Sequence, residues 1–258
     1  MERLTSKAHW NRTYDARKSL RPLQLAGIGN YCNRLILEKL LAIAMGDKRV
    51  LEIGAGDSAW LPYLAKEFPS SQFVGLDYSE RGCTLLSARA LSEGVNVQTV
   101  QEDMLVESSA HHQTFDVVLS FGVVEHFSDL VKALSAKSRY AKRGGIVFTL
   151  IPNMAGVLGT LARTWNREIY LQHKPHDLAS LEDGNRQSGL TLIASGYVAS
   201  NNFGILSSCF PDRKGLAWQL HRVLVGVSMA TWSVEHRLGN LPRTRLLSPY
   251  IFTMGRLD

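Results

Sequence analysis

The residues most able to do chemistry begin with Val50-Leu51-Glu52-Ile53-Gly54-Ala55-Gly56-Asp57-Ser58, where an apolar run passes into an acid and then two glycines one residue apart. This pattern reads as a buried strand ending in a tight turn. Glycine permits backbone angles and a closeness of approach that a Cβ would block. Such a turn can lie against a nucleotide. Further along, Asp77, Asp103 and the pair Glu125-His126 each follow a strand-like run. Ligands of open α/β sheets gather at the carboxyl ends of strands, so these positions would converge on one site. Taken singly, either aspartate would serve as a turn or capping residue.

Two ligands compete for the turn. Gly54-Ala55-Gly56-Asp57-Ser58-Ala59 satisfies G-x-G-x-x-[G/A], and Asp77 stands where a ribose-binding acid is expected, which points to an NAD-linked oxidoreductase. Glu52 points elsewhere. A carboxylate there is a liability beside a pyrophosphate but useful beside a ligand carrying an ammonium and a sulfonium. In Gln101-Glu102-Asp103-Met104, Asp103 can accept from an adenine amino group. The run from Phe115 through Ser120 to Glu125-His126 ends in a polar, imidazole-bearing turn.

These residues need elements to position them. Strands are expected over Arg49–Ile53, Gln72–Asp77, 95–100, 115–120 and 145–150, alternating with helices over 35–45, 59–68, 81–91 and 129–140. That alternation implies right-handed crossovers and a parallel sheet covered on both faces, and the strands have the near-continuous apolar character of buried parallel strands. After Ile151-Pro152-Asn153 the rhythm changes. Asp177 is placed to cap a helix through Gln187, and 190–200 and Tyr250–Leu257 read as two further strands. These late strands leave no room for a separate substrate domain. Between them Leu216, Leu220, Val223, Leu224, Val227, Ala230 and Val234 fall on helical spacing.

On these motifs the chain resembles the class I S-adenosylmethionine-dependent methyltransferases, of the branch similar to ubiquinone-biosynthesis and other small-molecule O- and N-methyltransferases. Val50–Ser58 matches the family's glycine motif, with Ala55 where cysteine is common and Ser58 where a third glycine is common. Val74-Gly75-Leu76-Asp77-Tyr78-Ser79 matches its ribose-binding strand end, and Val124-Glu125-His126-Phe127 its turn after the fourth strand. The resemblance implies a doubly wound, seven-stranded, mostly parallel Rossmann-like sheet with a late antiparallel strand. It implies one methyltransferase domain over 1–258, with a helical cap (1–45), a cofactor core (46–155) and a helical insertion (203–247).

By the same resemblance Gly54, Ala55 and Gly56 lie along the methionine and ribose of S-adenosylmethionine, with Glu52 and Ser120 beside them. Asp77 holds the ribose hydroxyls, Tyr78 flanks the adenine, and Asp103 with the Met104 amide reads the adenine edge. Trp10 and Tyr14 resemble an N-terminal segment that closes over the cofactor, and equally fit an ordinary amphipathic helix. His126 is the expected base, with His173 and His176 as rivals, or else Glu125-His126 simply orders its turn. Some relatives hold a divalent metal through two glutamates and a histidine there. Gly122 stands at the first of those positions, so no metal is expected.

The acceptor is a hydroxyl or amine of a small molecule, a glycan or a lipid-linked sugar, recognised by the N-terminal segment, 152–176 and the insertion. A non-catalytic cofactor-binding protein remains the alternative outside enzymes. With 258 residues, 45% hydrophobic and 20% charged, the chain has the composition of a globular protein. Cys32, Cys83 and Cys209 are scattered, which fits a reducing cytoplasm better than a disulfide framework or zinc site. No secretory leader is evident, and the net charge of +6 is spread between the basic N-terminus, including Arg17 and Lys18, and the last third of the chain. Without a nucleic-acid-binding signature, that charge suggests a solvated basic surface. The insertion either packs on the sheet as a lid or makes a peripheral membrane contact through 213–247.

Overall fold

The computed structural model describes residues 1–16, 20–239 and 241–258; Arg17 and Lys18 of the basic N-terminus lie outside them. Its centre is a seven-stranded sheet of β1 (Arg49–Ile53), β2 (Gln72–Asp77), β3 (Val97–Gln101), β4 (Phe115–Phe121), β5 (Ala141–Pro152), β6 (Leu190–Val198) and β7 (Tyr250–Leu257). The strand order is β3-β2-β1-β4-β5-β7-β6. β7 runs antiparallel between β5 and β6, while β1 to β5 pair in parallel. The expected late antiparallel strand is therefore β7. β1 is flanked by β2 on one side and β4 on the other, so the winding reverses beside the glycine turn, and such switch points open a crevice at the strand ends.

Helices cover both faces because β1, β4 and β5 are apolar on both sides. Val50, Val117 and Phe148 pack against α2 (Tyr31–Leu41) and α3 (Trp60–Glu67), while Leu51, Val118 and Val147 pack against α5 (Leu130–Ser138) and α8 (Leu178–Gln187). α4 (Glu80–Glu93) starts at Ser79, whose hydroxyl accepts from Gly82 N, and stops at Gly94 in a left-handed conformation. Asp177 caps α8 through a reciprocal pair with Ser180.

The chain before and after this core adds α1 (Lys7–Asp15), α6 (Val157–Trp165), α7 (Arg167–Leu171) and α9 (Gly215–Leu238). α9 departs from the lid expectation. Most of its regularly spaced apolar residues face solvent, and the helix is buried instead through His221, Ser228, Trp232 and Glu235. No helix among the described residues is long and apolar enough to cross a membrane.

Candidate functional site

The turn after β1 is built from backbone angles that suit glycine, with φ of +70° at Gly54 and +32° at Gly56. A Cβ on Gly56 would lie 2.0 Å from Tyr14 Oη, so α1 is wedged directly against the turn. Tyr14 Oη donates to Asp77 Oδ2 over 3.2 Å, and Gly56 N donates to the same oxygen over 3.0 Å. Ser79 N donates to Asp77 Oδ1 over 2.7 Å. Burial raises the Asp77 carboxyl above its ordinary value against the pull of these donors. Burial, then the nearby Asp77 charge, also raises the Tyr14 hydroxyl, which therefore stays a proton donor.

A cavity of about 190 Å³ opens where β1, β2, β3 and β4 end. Gly54, Asp77, Tyr78, Asp103, Met104 and His126 line it, and Trp10 and Tyr14 of α1 close its other side. These eight are the lining residues that the sequence had singled out. It did not foresee Arg3, which also lines the cavity. The Arg3 guanidinium pairs with Asp103 Oδ1 and lies over the rings of Tyr78 and Phe127, at 5.2 and 5.6 Å from their centroids. Backbone bonds from Leu4 N to His126 O and from Ser128 N to Glu2 O fix the segment there. Asp103 Oδ1 also accepts from Leu105 N over 2.9 Å.

Four expected residues are not on this wall: Gly56 is buried under Tyr14, and Glu52, Ala55 and Ser120 sit beneath the cavity. Glu52 is buried with Oε2 accepting from the Ser58 hydroxyl over 2.8 Å, and burial pushes its carboxyl up to about 8. Ala55 is 2% exposed and packs into the core. Ser120 is fully buried because Lys137 reaches under the strand ends. Lys137 Nζ donates to Ser120 Oγ (2.8 Å), Phe148 O (2.9 Å) and Thr149 Oγ1 (2.5 Å), so its three donors meet three acceptors. Burial lowers Lys137 well below the ordinary lysine value. A lone lysine on a predicted helix gave no sign of this role.

A second cavity of about 360 Å³ adjoins the first, and the two share Phe121, Gly122 and His126. Its wall is mainly apolar, with Ile36, Trp60, Leu150, Met154, Ile205 and Leu206. Trp60 stacks on Phe121 with ring centroids 5.5 Å apart. Polar groups cluster at one place, where Glu125, His126 and His173 meet. His126 Nδ1 is 2.6 Å from Gln172 O, and His173 Nδ1 is 2.8 Å from Ile169 O. Carbonyl oxygens only accept, so each Nδ1 carries the proton and each Nε2 is left as an acceptor. Burial first, then the neighbouring His173, lowers His126 to about 3, so the ring is neutral at pH 7. Burial pushes Glu125 up to about 8, and its Oε2 has no hydrogen-bond partner.

Donor atoms of Glu125, His126 and His173 all lie within 4.8 Å of one another, a geometry able to hold a metal ion. The expectation of no metal rested on Gly122, whereas here the third donor comes from His173, far along the chain. His176, the other rival base, is absent from both cavity walls, although burial lowers it too.

A family model described as a methyltransferase domain matches residues 50–145. The ubiquinone biosynthesis O-methyltransferase of Rhizobium johnstonii is 28% identical over 189 residues, covering 71% of this chain and 74% of that one. Its counterpart in Klebsiella pneumoniae is 31% identical over 109 residues, covering 42% and 44%. Among solved structures, the geranyl diphosphate C-methyltransferase of Streptomyces coelicolor, determined with S-adenosyl-L-homocysteine, superposes with a TM-score of 0.60 at 14% identity, covering 98% of each chain. The matched stretch holds the glycine turn and Asp77, together with Glu52, Asp103 and Glu125-His126, the residues that favoured a sulfonium ligand over NAD. With the sheet order and these matches in agreement, the chain belongs to the class I S-adenosylmethionine-dependent methyltransferases.

Proposed function

We propose that the chain methylates a hydroxyl group of a small, largely apolar molecule, with S-adenosylmethionine in the first cavity and the acceptor in the second. The observation that carries this reading is the junction of the two cavities at His126. The bound cofactor supplies an electrophilic methyl on its sulfonium. Asp77 would hold the ribose hydroxyls, Gly54 and Gly56 would let the backbone approach, and Tyr78, Asp103 and Met104 would surround the adenine. Glu52, Ala55 and Ser120 support that wall from beneath. The chain acts as one unit over 1–258, its cap (1–45) and insertion (203–247) serving the core (46–155).

In this reading His126 takes the acceptor's proton. Its Nδ1–H is anchored on Gln172 O, so the ring is held in one tautomer with Nε2 as the base. The apolar wall excludes water and positions the nucleophile, which for well-oriented reactants is worth on the order of 7–11 kcal/mol. A panel of phenols, aliphatic alcohols, amines and sugars, followed by S-adenosylhomocysteine release, tests the assignment. Turnover confined to amines or free sugars would overturn it.

A divalent cation is a second reading of the same cluster. It is favoured by the two Nε2 acceptors and the unpartnered Glu125 Oε2, with both imidazoles fixed through carbonyls as metal-binding histidines usually are. Glu125, His126 and His173 would hold the ion, which would act as a Lewis acid on the acceptor oxygen. Metal analysis of the purified protein, with activity before and after chelation, separates the two. One bound ion and chelator-sensitive turnover would replace the base reading.

A further inference from the structure

We propose that the solvent-facing side of α9 docks on an anionic lipid bilayer. Leu216, Leu220, Val223, Val227, Ala230 and Val234 recur at alternating steps of four and three, so they form one stripe along the helix. The stripe is open to solvent, with Leu216 89% exposed, Val223 62% and Leu220 51%. Surface helices ordinarily turn such a stripe inward. Here the inward side carries His221, Ser228, Trp232 and Glu235, and it is bonded to the preceding segment. Trp232 Nε1 donates to Asn201 O (2.8 Å), Phe203 N donates to Ser228 Oγ (3.0 Å), and Ser200 Oγ donates to Glu235 Oε2 (2.8 Å). These bonds fix the helix rotation, so the apolar stripe cannot turn inward without breaking them.

Charge identifies the occupant. From 213 to 245 the chain carries Arg213, Lys214, Arg222, Arg237, Arg243 and Arg245 against one acid, Glu235, which is buried. Arg213, Lys214, Arg222 and Arg237 are exposed beside the stripe, whereas Arg245 pairs with Asp177. An apolar stripe edged by cations suits an interface helix lying flat on anionic headgroups. A second copy packed two-fold on the same stripe would bring like charges together. The 24-residue helix lies on the bilayer rather than through it.

The docked helix adjoins the acceptor cavity. α9 is bonded to the 200–209 segment, and Ile205, Leu206, Ser208 and Cys209 of that segment wall the second cavity. Apolar acceptors dissolved in the bilayer would then have a short path to His126; this consequence rests on the proposed acceptor, while the docking does not.

Flotation of the full-length protein with vesicles tests the docking without using activity. The vesicles are phosphatidylcholine, alone or with ~30 mol% phosphatidylglycerol. Binding is expected only to the anionic vesicles, falling at least ~10-fold in 0.5 M salt. Leu220→Glu with Val227→Glu should lower binding by ~10-fold or more with S-adenosylmethionine affinity unchanged, since both side chains point to solvent. Arg222→Ala with Arg237→Ala should weaken the salt dependence. No binding of the native protein at low salt, equal binding by the glutamate variant, or a concentration-dependent dimer abolished by the same substitutions would overturn the proposal.

Discussion

Arg3→Ala should tighten S-adenosylmethionine binding, because Arg3 occupies the group proposed to read the adenine. Asp103 Oδ1 is already bonded to Arg3 and Leu105 N, and the Arg3 guanidinium covers Tyr78. An adenine amino group that bonds Asp103 Oδ1 must displace Arg3 from that ion pair. Both side chains are about a third exposed, at 29% and 35%, so the pair is worth no more than ~1 kcal/mol. The ring contacts add roughly 0.5–1 kcal/mol at such a surface. Opening therefore costs about 0.5–2 kcal/mol, and removing it should lower Kd by about 2- to 30-fold. Calorimetric titration of native and Arg3→Ala protein with S-adenosylmethionine and S-adenosylhomocysteine reads this directly, with Asp103→Asn as the control that weakens both partners. Weaker cofactor binding by Arg3→Ala would refute the reasoning and place Arg3 among the cofactor's own contacts.

His126→Ala should lower kcat by about 10²–10⁴-fold and leave cofactor Kd within ~3-fold, measured by turnover and calorimetry. Parallel loss of both would assign His126 to binding alone. Asp77→Asn should weaken S-adenosylmethionine by about 10- to 150-fold, the equivalent of ~1.5–3 kcal/mol for hydrogen bonds to a charged acceptor. Stability should depend on Glu52 with a definite sign. In the unfolded chain it releases its proton near 4.5, while the folded chain keeps it to about 8, so its contribution is complete below pH 4.5 and is lost as pH rises toward 8. The Tm of Glu52→Gln relative to native should therefore rise steadily from pH 5 to pH 8; a constant difference would contradict the buried, protonated Glu52.

What the sequence made legible was local. Strands β1, β2 and β7 begin and end as expected, because an apolar run bounded by turn residues needs no tertiary information. Gly54, Asp77, Asp103 and His126 were placed by one rule, that strand ends carry the ligand. The remaining wall depends on contacts between distant segments. Arg3 meets Asp103 across a hundred residues, His173 meets His126 from another loop, and Lys137 passes beneath β4 and β5 from an otherwise ordinary helix. Ser120 was misplaced for that reason, since strand alternation does not reveal which hydroxyl a buried lysine will claim. For α9 the sequence left two readings open, a lid or a membrane contact. Its apolar spacing was visible, but the direction of the stripe is fixed by polar bonds to 200–203 that no periodicity encodes.

The most direct test of the central claim is to incubate the protein with methyl-labelled S-adenosylmethionine and a whole-cell extract, then partition the products between water and an organic solvent. Native protein should place the label in an organic-soluble ether, and His126→Ala should lose that product. Label confined to water-soluble sugars or amines, or to protein or nucleic acid, would contradict it.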